Sequence, residues 1–383
     1  MMAYPLIISG YSGIKKTNKM NNVKSIHDLG QSIWLDFFDR ELMNSGKLQQ
    51  LIDEDGLTGI TSNPSIFEKA VDSSSDYDED IRKLAGENKS NEEIFFGFAV
   101  NDIRRAADIL KPVYDKAKGT DGFVSLEVSP LLANDTEGTI KQAKELWKSV
   151  DRKNVMIKIP GTKEGLEAIK HCISEGININ VTLLFGLPRY REVTEAYISG
   201  LEERVKNNQP IDHVASVASF FLSRIDVMID PILKEKKLDK LVGEIAIDSA
   251  KEAYRIYKEV FFSDRFRELE KKGAKVQKVL WASTSSKDPS FSDVKYVEAL
   301  IGPDTINTLP LETIDAFRDH GVAKEELEHN LVKSKQELEK LKENGINIDD
   351  VTQKLEEEGV QKFNKAYDSL IKAIDSKKKK QMA

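Results

Sequence analysis

Eight short runs rich in β-branched and aromatic residues recur along one stretch of this chain, at 33–38, 57–62, 123–129, 155–160, 179–185, 214–220, 278–284 and 305–310. Between them lie segments such as TEGTIKQAKELWKSV and TKEGLEAIKHCISEG, whose apolar residues return at spacings of three and four. Strand alternating with helix implies a parallel sheet, because parallel neighbours need a crossover between them. Eight such strands in one run favour a closed (β/α)8 TIM barrel over an open sheet, and 383 residues accommodate a barrel of about 250 with additions. Thr162 ahead of KEGLEAIK and Pro188 ahead of RYREVTEAY mark helix starts that agree with this register.

The domain boundaries follow. Residues 22–322 are expected to form the barrel, with LETIDAFRDHG as its eighth helix, ending at Gly321. Residues 323–376 read as charged helices whose apolar stripe (Leu327, Leu331, Leu338, Leu341) packs on the barrel, since the spacing is not sustained as a coiled coil requires. Residues 377–383 read as a basic, disordered tail. Residues 1–21 read as a disordered extension; the lysines at 15, 16 and 19 resemble a targeting leader, and a start at Met20 is the plainer account.

VMIKIPG, residues 155–161, is the most unusual of the strands. Alternation puts Val155, Ile157 and Ile159 on one face and Met156, Lys158 and Pro160 on the other, so a lysine stands among apolar neighbours. Burial favours the neutral form of an amine, which is the form that attacks a carbonyl to make a Schiff base. The alternative is a lysine that ends an exposed strand or pairs with a carboxylate.

The other strands weigh on that choice. Side chains of one parity face the inside of a barrel, and the polar residues share parity: Asp36 with Trp34, Thr61 with Asn63, Ser125 with Glu127 and Ser129, Asn180 with Thr182, and Ser283 with Ser285 and Lys287. In the sixth strand Ser216 and Ser219 are out of step, which leaves its register open. Catalytic groups of such barrels sit at the C-terminal ends of the strands, where Asp36, Asn63, Glu127, Lys158, Asn180, Thr182, Ser219 and Ser283 would all fall. Each has a structural alternative: Asp36 as a helix cap, Asn63-Pro64 as a turn, Glu127 as an ion-pair partner, Thr182 as a donor to a carbonyl. Together they suit Schiff-base carbon–carbon chemistry: a lysine for the ketone, two carboxylates for the protons, and amides and hydroxyls to hold a small fragment.

Composition narrows the alternatives. A net charge of −7 gives no basic footprint for nucleic acid, and no run reaches the ~18 apolar residues of a membrane span. One cysteine, Cys172, and five scattered histidines give no metal-site spacing and fit a reducing, cytoplasmic setting. Neither GxGxxG nor a P-loop is found, so no nucleotide cofactor is expected.

The stretches DLGQSIWLDFFDREL, LTGITSNPSIFEKA, VSLEVSPLLANDT, VMIKIPGTKEGLEAI, NINVTLLFGLPRY, HVASVASFFLSRID, KVLWASTSSKDPSF and TINTLPLETIDAF, in this order, resemble the transaldolase family, most of all its longer bacterial and plastid type. The resemblance implies transfer of a dihydroxyacetone unit between sugar phosphates without metal or organic cofactor. It makes Lys158 the Schiff-base lysine, Asp36 the general acid/base, Glu127 a carboxylate working through water, and Thr182 the residue holding that water. Asn63 and Asn180 bind substrate; Thr61, Ser219 and Phe221 line the pocket; Arg224 meets the substrate phosphate. One departure stands out: where shorter members carry a second phosphate-binding arginine after the seventh strand, this chain has Ser285, and Lys287 is the nearby cation. The expected partners are sugar phosphates, with no nucleic acid or membrane and with monomer and homodimer both open. The nearest rival is a class I aldolase that uses the same lysine and releases free dihydroxyacetone; a non-catalytic sugar-phosphate-binding barrel is a more distant one.

Overall fold

A computed structural model describes residues 21–382. The expected N-terminal extension lies outside the described residues apart from Asn21, whose side chain caps the first helix, Asn22–Asp28. Eight strands follow: β1 (Gln31–Leu35), β2 (Gly59–Ile60), β3 (Phe123–Glu127), β4 (Val155–Pro160), β5 (Ile179–Leu184), β6 (Ser216–Phe221), β7 (Lys278–Ala282) and β8 (Thr305–Leu309). Each pairs in parallel with the next, and β8 pairs with β1 from Gln31↔Thr305 to Leu35↔Leu309, closing a TIM barrel.

All the strands but β4 are shorter than the apolar runs that announce them. β1 ends at Leu35, yet the Asp36 amide still donates to Leu309 O at 2.8 Å, so Asp36 keeps its place in the alternation. Beyond it the alternation stops, and Phe38 packs on Phe67 with ring centroids 5.5 Å apart. The two-residue β2 reflects a close approach: a Cβ on Gly59 would sit 2.4 Å from the Trp34 indole, so only glycine lets that ring fill the N-terminal end of the barrel. Trp34 Nε1 donates to Asp121 Oδ1 at 2.9 Å, and Ser32 Oγ to Asp121 Oδ2 at 2.5 Å.

Helices cover the outside. In Lys163–Ser174, Thr162 Oγ1 accepts from Gly165 N at 3.0 Å as the cap, and Ala168, Ile169, Cys172 and Ile173 form the buried stripe. Burial pushes the Cys172 thiol up to about 12, which leaves it an inert packing group. Pro188 lies in the first turn of Leu187–Lys206.

After the eighth barrel helix, Leu311–His320, two expectations need correction. The segment 322–330 is not helical, and although Leu327 and Leu341 are fully buried in the core and Leu338 packs against it, the helix Leu331–Glu343 also buries the polar Ser334 and Glu337. Its neighbour is Ile245–Phe261, whose Asp248 lies against Ser334 and Glu337, so the packed face is polar. The second correction concerns residues 377–383. The last helix runs Ile348–Met382 without a disordered tail before residue 382. Lys377 bonds Ser74 O and Asp78 Oδ1, both at 2.7 Å, and Gln381 bonds Asp78 at 3.1 Å. The attraction is electrostatic: Asp78, Glu79 and Asp80 form the first turn of the facing helix, Asp78–Gly86. Among the described residues, no helix is long and apolar enough to cross a membrane.

That last helix lies along the C-terminal end of the barrel. Glu356 pairs with Arg189 just after β5 at 3.1 Å, and Tyr367 stacks edge-on against Phe95 while donating to Glu92 at 2.8 Å.

Candidate active site

Register builds the centre of the site. Glu127 of β3 pairs with Lys158 of β4, which pairs with Asn180 of β5, so three polar residues form one row across adjacent strands. All three are buried. Lys158 Nζ donates to Ser62 O at 3.1 Å and lies 3.5 Å from Glu127 Oε2. Among the described residues, neither Glu127 oxygen has a hydrogen-bond partner. Burial pushes the Glu127 carboxyl up to about 7, against the opposing pull of the Lys158 charge. A carboxyl poised there can give or take a proton near neutral pH.

A network fixes the row from one side. Ser219 Oγ donates to Asn180 Oδ1 at 2.7 Å, and Asn180 Nδ2 donates to Ser125 Oγ at 3.0 Å. This settles the open register of β6: Ser219 faces inward, while Ser216 donates to Ile179 O. Thr182, a step further toward the mouth and paired with Pro160, is fully buried with its Oγ1 unpartnered.

Asp36 stands on the opposite side. Its Oδ1 accepts from Thr61 Oγ1 at 3.0 Å, and Thr61 meets Thr308 at 2.8 Å. Burial raises its pKa, offset first by Lys158, whose charge therefore links the two carboxylates. Asn63 caps the helix Pro64–Ser73, its Oδ1 accepting from Ile66 N at 3.1 Å; the Asn63-Pro64 pair is a helix start, and its amide nitrogen makes no protein hydrogen bond among the described residues.

The remaining residues form a cationic rim. Arg224 follows β6, its guanidinium 5.8 Å from the Phe221 ring, with Nη1 buried and unpartnered. Burial lowers its pKa, opposed by Asp36 and Glu358. Ser283, after β7, has φ +55° and shares a hydrogen bond with Ser223 at 2.9 Å. Lys287 is exposed, its Nζ donating to Ser285 Oγ at 2.6 Å, and its charge reaches Asp36.

The structure thus gathers every residue named from the sequence at one end of the barrel. The sequence reading passed over Ser62, which contributes a carbonyl and so leaves no side-chain signature, Thr308, which bonds Thr61, and Glu312, whose charge acts on Asp36. Thr308 had a signal, since it shares inward parity with Ile306 on β8. Among the described residues, no group of three or more His, Cys, Asp or Glu side chains is clustered to hold a metal ion.

Comparison with known proteins places the chain in a family. Residues 33–374 match the family model described as transaldolase/fructose-6-phosphate aldolase. A transaldolase of Trichodesmium erythraeum is 48% identical over 94% of this chain and 98% of its own. One from Saccharopolyspora erythraea is 46% identical over 92% of this chain and 97% of its own, and a protein named transaldolase 2 from Nostoc sp. is 46% identical over 94% and 98%.

Proposed function

The chain belongs to the transaldolase/fructose-6-phosphate aldolase family, and from that premise we propose that it transfers a dihydroxyacetone unit from sedoheptulose 7-phosphate to glyceraldehyde 3-phosphate, in the cytoplasm, giving erythrose 4-phosphate and fructose 6-phosphate. The observation that carries the proposal is the buried Lys158 Nζ 3.5 Å from a carboxyl whose pKa is raised to about 7.

Lys158 Nζ attacks the ketone carbon of the donor. Glu127 supplies the proton with which the carbinolamine hydroxyl leaves as water, and Thr182 Oγ1, buried without a protein partner, holds that water. Asp36 takes the proton of the hydroxyl on the carbon beyond the scissile bond. The bond's electron pair passes into the iminium, erythrose 4-phosphate leaves as the aldehyde, and the three-carbon enamine stays on Lys158. Asn63 and Asn180 hold its hydroxyls. The enamine then attacks the acceptor aldehyde, Asp36 returns its proton, and water, activated by Glu127, releases fructose 6-phosphate. Arg224, with its free Nη1, and Lys287 bind the phosphate.

The test is a coupled assay for erythrose 4-phosphate and for free dihydroxyacetone. Transfer predicts erythrose 4-phosphate only when the acceptor is present in substrate amounts. Stoichiometric free dihydroxyacetone would favour an aldolase, and neither product would refute both.

A further inference from the structure

At the C-terminal end of β5 the backbone adopts a shape that its residues do not prefer. Leu183 has φ +55°, in the left-handed region that bulky L side chains rarely adopt. From Val181 to Leu184 the strand advances three residues, while its partner β6 advances two, from Ala218 to Phe220, so one extra residue bulges out. The bulge starts at Thr182, whose carbonyl accepts from Gly161 N at 2.7 Å and whose Oγ1 has no protein partner. The sequence here, TLLF, contains no glycine, asparagine or aspartate to ease that backbone. The conformation must be imposed by what packs on it.

The last helix packs on it. Leu183 is buried, and a Cβ on Gly359 would lie 3.1 Å from Leu183 Cδ2 and 3.5 Å from the Phe185 ring. Glycine is the poorest helix former after proline, so at mid-helix Gly359 serves close approach and not helicity. The same helix also brings Thr352 against Gly186 and Glu356 to Arg189. Phe185 in turn meets Phe221, centroids 5.2 Å apart, and Phe221 carries Arg224. One helix face therefore touches both the neighbour of Thr182 and the wall beneath the phosphate-binding cation.

We infer that Gly359 is a positioning residue. By seating the last helix on Leu183 and Phe185 it holds the β5 bulge, and the bulge sets where Thr182 Oγ1 meets the water of carbinolamine dehydration and hydrolysis. This deepens the function proposed above and rests on the role given there to Thr182.

The test is a double-mutant cycle on the full chain, measuring kcat, KM and the rate of borohydride trapping. Gly359→Leu lowers kcat by about 100-fold, the scale of a ~1 Å displacement, and changes KM less. Gly359→Ala, whose methyl requires a shift of only a few tenths of an ångström, falls between it and the unsubstituted protein. On a Thr182→Ala background Gly359→Leu costs less than about threefold more, because the group it acts through is already gone. Leu183→Gly removes the contact from the other side while easing the positive φ, and shows the same non-additivity; it decides the matter should Gly359→Leu fail to fold. Losses that multiply independently, or an unchanged kcat, overturn the inference. Absence of any Lys158 adduct in the unsubstituted protein would instead refute the Schiff-base reading, so the two failures are distinguishable.

Discussion

The two ends of the barrel carry carboxylates of equal burial and opposite character. Asp121, at the N-terminal end, accepts hydrogen bonds from Trp34 Nε1, Ser32 Oγ and Gly122 N. Glu127, at the C-terminal end of the strand that follows Asp121, accepts none among the described residues and lies 3.5 Å from Lys158 Nζ. Exposure does not separate them, at 8% and 5%. Saturation does. A carboxylate with its lone pairs occupied is a structural member, whereas a buried one left unsatisfied is held for a reacting group, and its raised pKa follows. Cavity size would mislead here: a cleft of about 920 Å3 around Tyr114, Trp147 and Arg152 lies at the structural end.

Substitutions can break this comparison, and the largest effect belongs to the reactive end. Lys158→Ala should lower transfer by about 10⁴-fold or more, since no other group supplies the nucleophile, while the protein still folds. Glu127→Gln should cost about 10²- to 10⁴-fold in kcat. It should also abolish the fall in kcat/KM for the donor as pH rises through about 7, where the proton that Glu127 gives to the carbinolamine hydroxyl is lost. The same residue has a stability signature. Because its folded pKa lies above the ordinary value of 4.5, the folded chain binds the proton more tightly than the unfolded one. The contribution of Glu127 to stability is therefore complete below about pH 4.5 and is lost as pH rises to about 7, by something of the order of 3 kcal/mol. Urea melts across that window should show a smaller decline in Glu127→Gln than in the natural protein, the remainder coming from Asp102, Asp226 and Asp248, whose pKa values burial also raises.

At the structural end the order reverses. Asp121→Ala leaves Trp34 Nε1 and Ser32 Oγ buried without their acceptor and should cost roughly 2–4 kcal/mol in chemical denaturation, with kcat per folded molecule unchanged. Gly59→Ala should cost somewhat less, about 1–3 kcal/mol, because its methyl would overlap the Trp34 ring and force a local shift. A large loss of kcat in either variant, without unfolding, would erase the distinction between the two ends.

Much of the reactive end was legible in the sequence because alternation is a rigid rule. Once VMIKIP and FVSLEVS are strands, Lys158 and Glu127 must point inward, and parallel register then sets them side by side. Asn180 and Ser219 followed the same parity, though the offset of Ser216 hid the register of β6 until the Ser219–Asn180 bond fixed it. Contacts made by backbone were not legible, as the Ser62 carbonyl beside Lys158 shows. Nor was the bulge at Leu183, because tertiary packing imposes it on residues with no turn preference. The chain's end was misread for a related reason. Four consecutive lysines look solvated in isolation, and their helical order depends on an acidic helix start some 300 residues earlier, at Asp78.

Borohydride trapping tests the central claim most directly. The protein is incubated with fructose 6-phosphate, reduced and digested, and the peptides are weighed by mass spectrometry beside Lys158→Ala. The account predicts a three-carbon adduct on the peptide bearing Lys158 and none in the variant. No adduct in the folded protein, or an adduct on another lysine that survives the substitution, would contradict it.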